Sequence, residues 1–409
     1  MNYLGKNHFN LLDCTLRDGG YYNNWDFSDK LIQEYINKIS QTNIKFVELG
    51  FRNFQQNRPL GTTGYTNDRL LKRLKIPSHL KIGVMVNAGE LKKNFFSPLK
   101  NLKRLFPKKN KKISFVRFAC HFEEIFFLES CINWLRKNNI EVFINIMQIS
   151  EIKQNQVLRV CRFLKNKNIQ ALYLADSLGS LNINSLKKLI KTFKTNWHKD
   201  LGLHAHNNLN LALNNSLIAI KHGFNWIDCT ILGMGRGPGN LVTEDILNQV
   251  DKKNLIKVKI LKHKYFDKLK KQYKWGPNKF YAIAAKYKIH PTYIQEMLSD
   301  KRYNKKNYTI ILKTLKKTDS RKYNSSKLFL PNSIYLSKPK SSWHPINDLY
   351  QKDILIIGPN IFKKKETNRI ERFIFNKKLF VIAVNSSKGI SEKFVNMRAI
   401  CHPKRLISD

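Results

Sequence analysis

The chain has 409 residues, 42% of them hydrophobic, with 74 lysines and arginines against 29 aspartates and glutamates for a formal charge of +45. That length and apolar content exclude a disordered chain and leave room for more than one domain. No apolar run approaches the ~18–20 residues that cross a bilayer and no signal-peptide core opens the sequence, while six cysteines without paired spacing fit a reducing cytoplasm better than a disulfide framework.

Apolar, β-rich runs recur along the first part of the chain. They are "LLDCTL" (11–16), "IKFVELGFR" (44–52), "KIGVMVNAG" (81–89) and "ISFVRFAC" (113–120), then "EVFINIMQI" (141–149), "ALYLADS" (171–177), "LGLHAHN" (201–207) and "WIDCTILGMG" (226–235). The gaps hold segments such as "SDKLIQEYINKIS" and "NINSLKKLIKTFKTN", whose apolar residues repeat at helical spacing. Eight strand–helix repeats predict an α/β fold, a (β/α)8 TIM barrel over residues 1–258, against the competing doubly wound sheet. Residues 259–330 read as a helical extension broken at Gly276-Pro277 and His290-Pro291, ending in a polar linker. Residues 331–409 read as a small α/β (βαβ) piece, shortened or truncated, built on "DILIIGPNIF", "NRIERFIFNK" and "LFVIAVNSS". The turn in "LIIGPN" reads either as a tight βα connection or as a phosphate-facing turn.

Polar residues gather at the C-terminal ends of these strands: Arg17 and Asp18, Glu48, Arg117 and His121, Asp176, and His204 and His206. In a barrel those ends share one rim, where active sites of this fold are built. "HAHNN" places His204 and His206 two apart on a strand, so both imidazoles face one way; they are either packing residues or two ligands of one ion. Asp18, at the end of the first strand, adds a hard oxygen, and one carboxylate with two imidazoles suits Mn²⁺ or Mg²⁺ with positions left open. The Gly-rich "GMGRGPGNLVTE" lacks the ending of a nucleotide loop; it offers close backbone approach at Gly235 and Gly237, a further metal ligand in Asn240, and Glu244 to tie the loop to the rim.

Together "DCTLRDG" (13–19), "HAHNN" (204–208) and "GMGRGPGN" (233–240) resemble the DRE-TIM metallolyase superfamily, which includes HMG-CoA lyase and the carboxyltransferase domain of pyruvate carboxylase. The likeness is strongest to 4-hydroxy-2-oxovalerate aldolase-like proteins that carry a C-terminal extension. The resemblance implies a metal-dependent carbon–carbon lyase in which Asp18, His204 and His206 hold the divalent ion, with Asn240 a fourth ligand. Its substrates would be a pyruvate-type 2-oxo acid and an aldehyde, joined or parted through an enolate that Arg17 stabilises. Asp13 would orient Arg17 or a neighbour, and Asp13, Glu48, Arg117, Asp176, Gly235 and Gly237 form the wider substrate-binding set. Related aldolases carry a His after L-R-D-G for proton transfer; here Tyr21 and Tyr22 stand in its place, with His121 the other candidate.

Two rivals accompany this reading. A Claisen-type acyl-CoA synthase of the same superfamily lacks support, because "LRDGGYY" has no Gln after R-D-G. A basic polyanion-binding protein on an inactive barrel would explain the charge, yet basic residues are spread along the chain without a nucleic-acid motif, so neither nucleic acid nor membrane is an expected partner. A homodimer in the cytoplasm is the assembly carried forward.

Overall fold

The structure, a computed structural model, describes residues 8–55, 60–93, 96–107, 112–299, 305–328, 344–358, 364–384 and 390–399. Eight parallel strands close into a barrel in sequence order: β1 (Asn10–Asp13), β2 (Phe46–Phe51), β3 (Lys81–Asn87), β4 (Phe115–Cys120), β5 (Glu141–Ile146), β6 (Ala171–Ala175), β7 (Leu201–His204) and β8 (Trp226–Cys229). β8 returns to β1, pairing Asn10 with Trp226 and Asp13 with Cys229. The expected TIM-type barrel is therefore present. Helices pack outside it by their apolar stripes; in Asp29–Ile39 the residues Leu31, Ile32, Tyr35, Ile36 and Ile39 are buried, and Ser28 caps the first turn by accepting from Leu31 N–H at 3.2 Å.

The barrel interior is layered. Alternation along each strand sends residues i and i+2 to the same face. Phe46, Phe115, Phe143, Tyr173 and Trp226 fill one layer, with ring centroids of Phe46 and Phe143 4.6 and 4.9 Å from Trp226. Two residues further along the same strands stand Glu48, Arg117, Asn145 and Asp228, all buried. A triplet of aromatic, aliphatic and polar residue thus recurs as FVE, FVR, FIN and WID.

Strand ends differ from the sequence expectation at two places that matter. The first strand stops at Asp13, and Arg17 and Asp18 lie on a one-turn helix, Thr15–Gly19, where the Asp13 carboxylate accepts from Thr15 N–H at 2.9 Å and from its hydroxyl at 2.5 Å. The seventh strand stops at His204, so His206 is past its end, because the Gly-rich loop pairs there instead: Leu241 N–H donates to Ala205 O (3.2 Å) and Asn207 N–H to Gly239 O (2.8 Å). Gly239 has φ +83°, and a Cβ there would stand 2.0 Å from Gly233 O, which only glycine avoids.

Two compact units divide the chain. One runs through the barrel to Ser299 and takes in Asp319–Tyr323; the other holds the helix Lys305–Lys317 and residues from Asn324 onward. In the second, β9 (Ile354–Ile357), β10 (Phe380–Val384) and β11 (Met397–Ala399) form a parallel sheet in the order β11-β10-β9, one strand more than the βαβ expected. Ile357, Ile374, Val381 and Ile390 make its core. Of the "LIIGPN" turn, Pro359 and Asn360 lie outside the described residues. Among the described residues no helix is long and apolar enough to cross a membrane.

Candidate active site

The one-turn helix after β1 fixes the first half of the site. Arg17 donates from Nη1 to Asp18 Oδ1 at 2.5 Å and from Nε to Glu48 Oε2 at 2.6 Å. Glu48 Oε2 also meets Arg117 Nη1 at 3.5 Å, and Arg117 Nη2 donates to Asp228 Oδ2 at 2.6 Å. Asp228 Oδ2 lies 2.7 Å from His204 Nδ1, and His204 Nε2 lies 3.7 Å from Asp18 Oδ2. The contacts close on themselves, forming a buried ring of Asp18, Arg17, Glu48, Arg117, Asp228 and His204. Two guanidinium groups face three carboxylates in it, so the ring carries one excess negative charge.

Asp18, His204 and His206 each offer a ligand atom, and these atoms lie within 4.8 Å of one another. Burial alone would raise Asp18, but Arg17, His204, His206 and Arg236 hold it well below the usual carboxylate range. Burial pushes His206 down to about 3, against the pull of Asp18, leaving a neutral imidazole. Anionic oxygen and neutral nitrogen are the forms that ligate a metal. Asp228, also held low once Arg117 and His204 outweigh its burial, fixes His204 through Nδ1 and leaves Nε2 for Asp18's side of the site. Asn240 donates its amide to Asp18 Oδ2, and a Cβ on Gly235 would stand 2.7 Å from that amide. His206 Nδ1, Asn240 Oδ1 and Arg17 Nη2 are buried with no hydrogen-bond partner. The excess charge, the donor set and these orphaned atoms fit a divalent ion with an oxygen-rich ligand beside it. Asp228→Asn is expected to weaken metal binding about 10–100-fold, read by calorimetric titration with Mn²⁺; unchanged affinity would detach Asp228 from the site.

Residues 113–269 match the family profile described as HMGL-like. Over that stretch the barrel is similar to the HMGL-like family. The chain is 24% identical over 245 residues to a 4-hydroxy-2-oxovalerate aldolase of Brevibacillus brevis, covering 59% of this chain and 69% of that one. Among solved structures it is similar to the N-terminal domain of a candidate aldolase from Bacteroides vulgatus, with 29% identity, a TM-score of 0.63, and 71% of this chain against 97% of that domain. An HMG-CoA lyase from Bacillus subtilis shares the fold at 17% identity and a TM-score of 0.53, over 66% of this chain and 95% of that one.

The expected residues fall into three groups. Asp18, His204, His206, Asn240 and Arg17 converge, with Glu48 and Arg117 in the same ring. Tyr21 stands beside them, its ring 3.9 Å beneath the Arg236 guanidinium. The rest are engaged elsewhere. Asp13 does not reach Arg17; besides Thr15 it accepts from Tyr35 OH at 2.5 Å and Thr243 Oγ1 at 3.0 Å. Asp176 spends its oxygens on the N–H groups of Ser180 (3.0 Å) and Leu181 (3.1 Å), and burial pushes it up to about 6. Tyr22 OH donates to Gly237 O at 2.5 Å, and Gly237 N–H donates to Gln295 Oε1 at 2.9 Å, so neither backbone group of Gly237 is open. His121 is half-buried where the chain leaves β4, its backbone N–H donating to Glu124. Glu244 accepts from Leu232 N–H at 3.0 and 3.2 Å, fastening the Gly-rich loop.

Sequence reading missed Asp228, Arg236, His290 and Gln295. The WID triplet, set beside FVE and FVR, was the available signal for Asp228. Of the others, Arg236 sits on the Gly-rich loop, His290 in the connection between the helices Lys279–Lys286 and Pro291–Ser299, and Gln295 on the second of them, where no repeat marks them. Gln295 Nε2 donates to Tyr21 O at 3.1 Å, which ties the second of those helices to the turn after Asp18.

Proposed function

We propose that this protein is a divalent-metal-dependent oxo-acid aldolase that cleaves or forms a C–C bond beside a 2-oxo acid through a pyruvate-like enolate. The observation that supports it is the meeting of Asp18, His204 and His206 with an unpartnered donor of Arg17. Mn²⁺ or Mg²⁺ suits that donor set, and when bound it would supply Lewis-acid polarisation of the oxo acid. Names among its relatives favour a 4-hydroxy-2-oxo acid giving pyruvate and an aldehyde.

Arg17 is held on two edges, by Asp18 through Nη1 and by Glu48 through Nε. Its third nitrogen, Nη2, is left to meet the oxygen on which negative charge develops. Because the guanidinium is already oriented, little reorganisation is needed as charge builds. In cleavage the 4-hydroxyl gives up its proton, the C3–C4 electron pair passes to the oxo-acid half as an enolate, and the aldehyde leaves. Reprotonation at C3 then yields the oxo acid. Tyr21 Oη relays the hydroxyl proton in this direction, accepting it as its own phenolic hydrogen passes to solvent water, and the relay runs backwards in condensation. Tyr22 is the weaker choice, since burial raises its phenol well above the ordinary value and Gly237 O occupies its proton.

The test is pyruvate release from a panel of 4-hydroxy-2-oxo acids, with Mn²⁺ or Mg²⁺ added, removed by chelator and restored. Metal-loaded protein that releases no oxo acid from any of them would sink the reading. Tyr21→Phe should lower kcat by about 10²–10⁴-fold, and His121→Gln by less than about tenfold. The reverse order would move the proton transfer to His121.

A further inference from the structure

Beside the three donors stands a pair that the chemistry above leaves unused. Arg236 lies in the Gly-rich loop, close enough for its charge to act on both Asp18 and His206. Its Nη1 stands 3.4 Å from His290 Nε2, and its Nε is buried with no hydrogen-bond partner. His290 Nδ1 accepts from Thr292 N–H at 3.3 Å. A ring nitrogen that accepts carries no hydrogen, so the His290 proton sits on Nε2. Two N–H donors therefore face each other, one of them on a permanently charged group. Protonating the imidazole would not relieve this, because it adds a donor and no acceptor.

Both partners are held in place from behind. Arg236 stacks on Tyr21 at 3.9 Å, and its loop is fastened by Gln295 through Gly237 N–H at 2.9 Å. His290 N–H donates to Ser320 O at 2.8 Å. Opposed donors fixed in this way are satisfied by an acceptor with several lone pairs, and an oxyanion supplies both the acceptors and the countercharge.

We propose that Arg236 and His290 form an oxyanion subsite that holds a carboxylate or phosphate on the aldehyde half of the substrate. This rests on the aldolase reading. The subsite would select anionic over neutral aldehydes, since a neutral one leaves the donors unpaired.

Two measurements separate the subsite from the reaction. In calorimetric titration, inorganic phosphate or succinate binds the wild type and Arg236→Lys within about tenfold of each other, while Arg236→Gln and His290→Leu bind about 10–100-fold more weakly. In condensation with pyruvate, kcat/KM is compared for succinic semialdehyde, glyceraldehyde 3-phosphate and propanal. The wild type favours one of the anionic aldehydes over propanal by about 10–100-fold, and the ratio falls towards one in Arg236→Gln. Whichever anion gives the larger ratio identifies the group held. Turnover without preference, together with anion binding that ignores Arg236 and His290, overturns the subsite. Anion binding that depends on Arg236 in a protein that turns over no aldehyde keeps the subsite and removes the aldolase reading instead.

Discussion

His204→Ala and Asp18→Ala are each expected to yield a folded protein that retains no divalent ion and loses about 10³-fold or more of its lyase activity. Asp18 is the carboxylate of the three-donor set, and His204 is the imidazole whose far nitrogen is fixed by Asp228. Neither removal strips the barrel of its other contacts. Without Asp18, Arg17 keeps Glu48; without His204, Asp228 keeps Arg117. The fold is therefore separable from metal retention. Metal content by elemental analysis and the rise in Tm on adding Mn²⁺ are the readouts, since an ion that binds only the folded state raises Tm. A wild-type metal content in either variant would remove these residues from the site.

Arg117→Met should cost about 3–5 kcal/mol of stability, the usual loss when one partner of a buried pair is removed. Arg117 is fully buried and meets Glu48, Asp228 and Asn145 Oδ1, the last at 3.2 Å, with its guanidinium 4.3 Å from the Tyr173 ring. Methionine replaces the volume, leaves Asp228 without its guanidinium and leaves Glu48 with Arg17 alone. The double variant Arg117→Met/Asp228→Asn should recover part of the loss, and a urea-unfolding cycle measures the coupling. Additive losses would mean that the ring does not act as a unit. The same ring sets an acid limit. Its cations hold Asp18 and Asp228 below the ordinary aspartate value of 3.8, so their contribution to stability is complete above that pH and disappears as pH falls beneath it.

The barrel was legible because strands buried on both faces produce continuous apolar runs, and eight of them recur at helix-sized intervals. The donors were legible for a different reason: Asp, His and His at strand ends have little structural use unless something gathers them. What stayed hidden was relational. Asp228 lies within "WIDC", one residue before the strand ends, and only its alignment with Glu48 and Arg117 across the barrel reveals a shared layer. The strand boundary at His204 was hidden because loop pairing from residues 239–241, more than thirty positions away, decides where β7 stops. Arg236 looked like one more basic residue in a chain carrying 74 lysines and arginines. Its meaning comes from His290, just ahead of the helix Pro291–Ser299 and far along the chain.

Gln295 reaches from the helix Pro291–Ser299 to both Tyr21 O and Gly237 N–H. A shortened version ending where the eight repeats end, near residue 258, would keep every proposed metal ligand and every strand of the barrel. It would also lose the strut that joins the turn after Asp18 to the Gly-rich loop. Such a fragment would be a poor stand-in for the enzyme in kinetic work, even if it bound Mn²⁺ normally. The useful cut for dissecting this chain falls after Tyr323, beyond both that strut and the Ser320 carbonyl that holds His290.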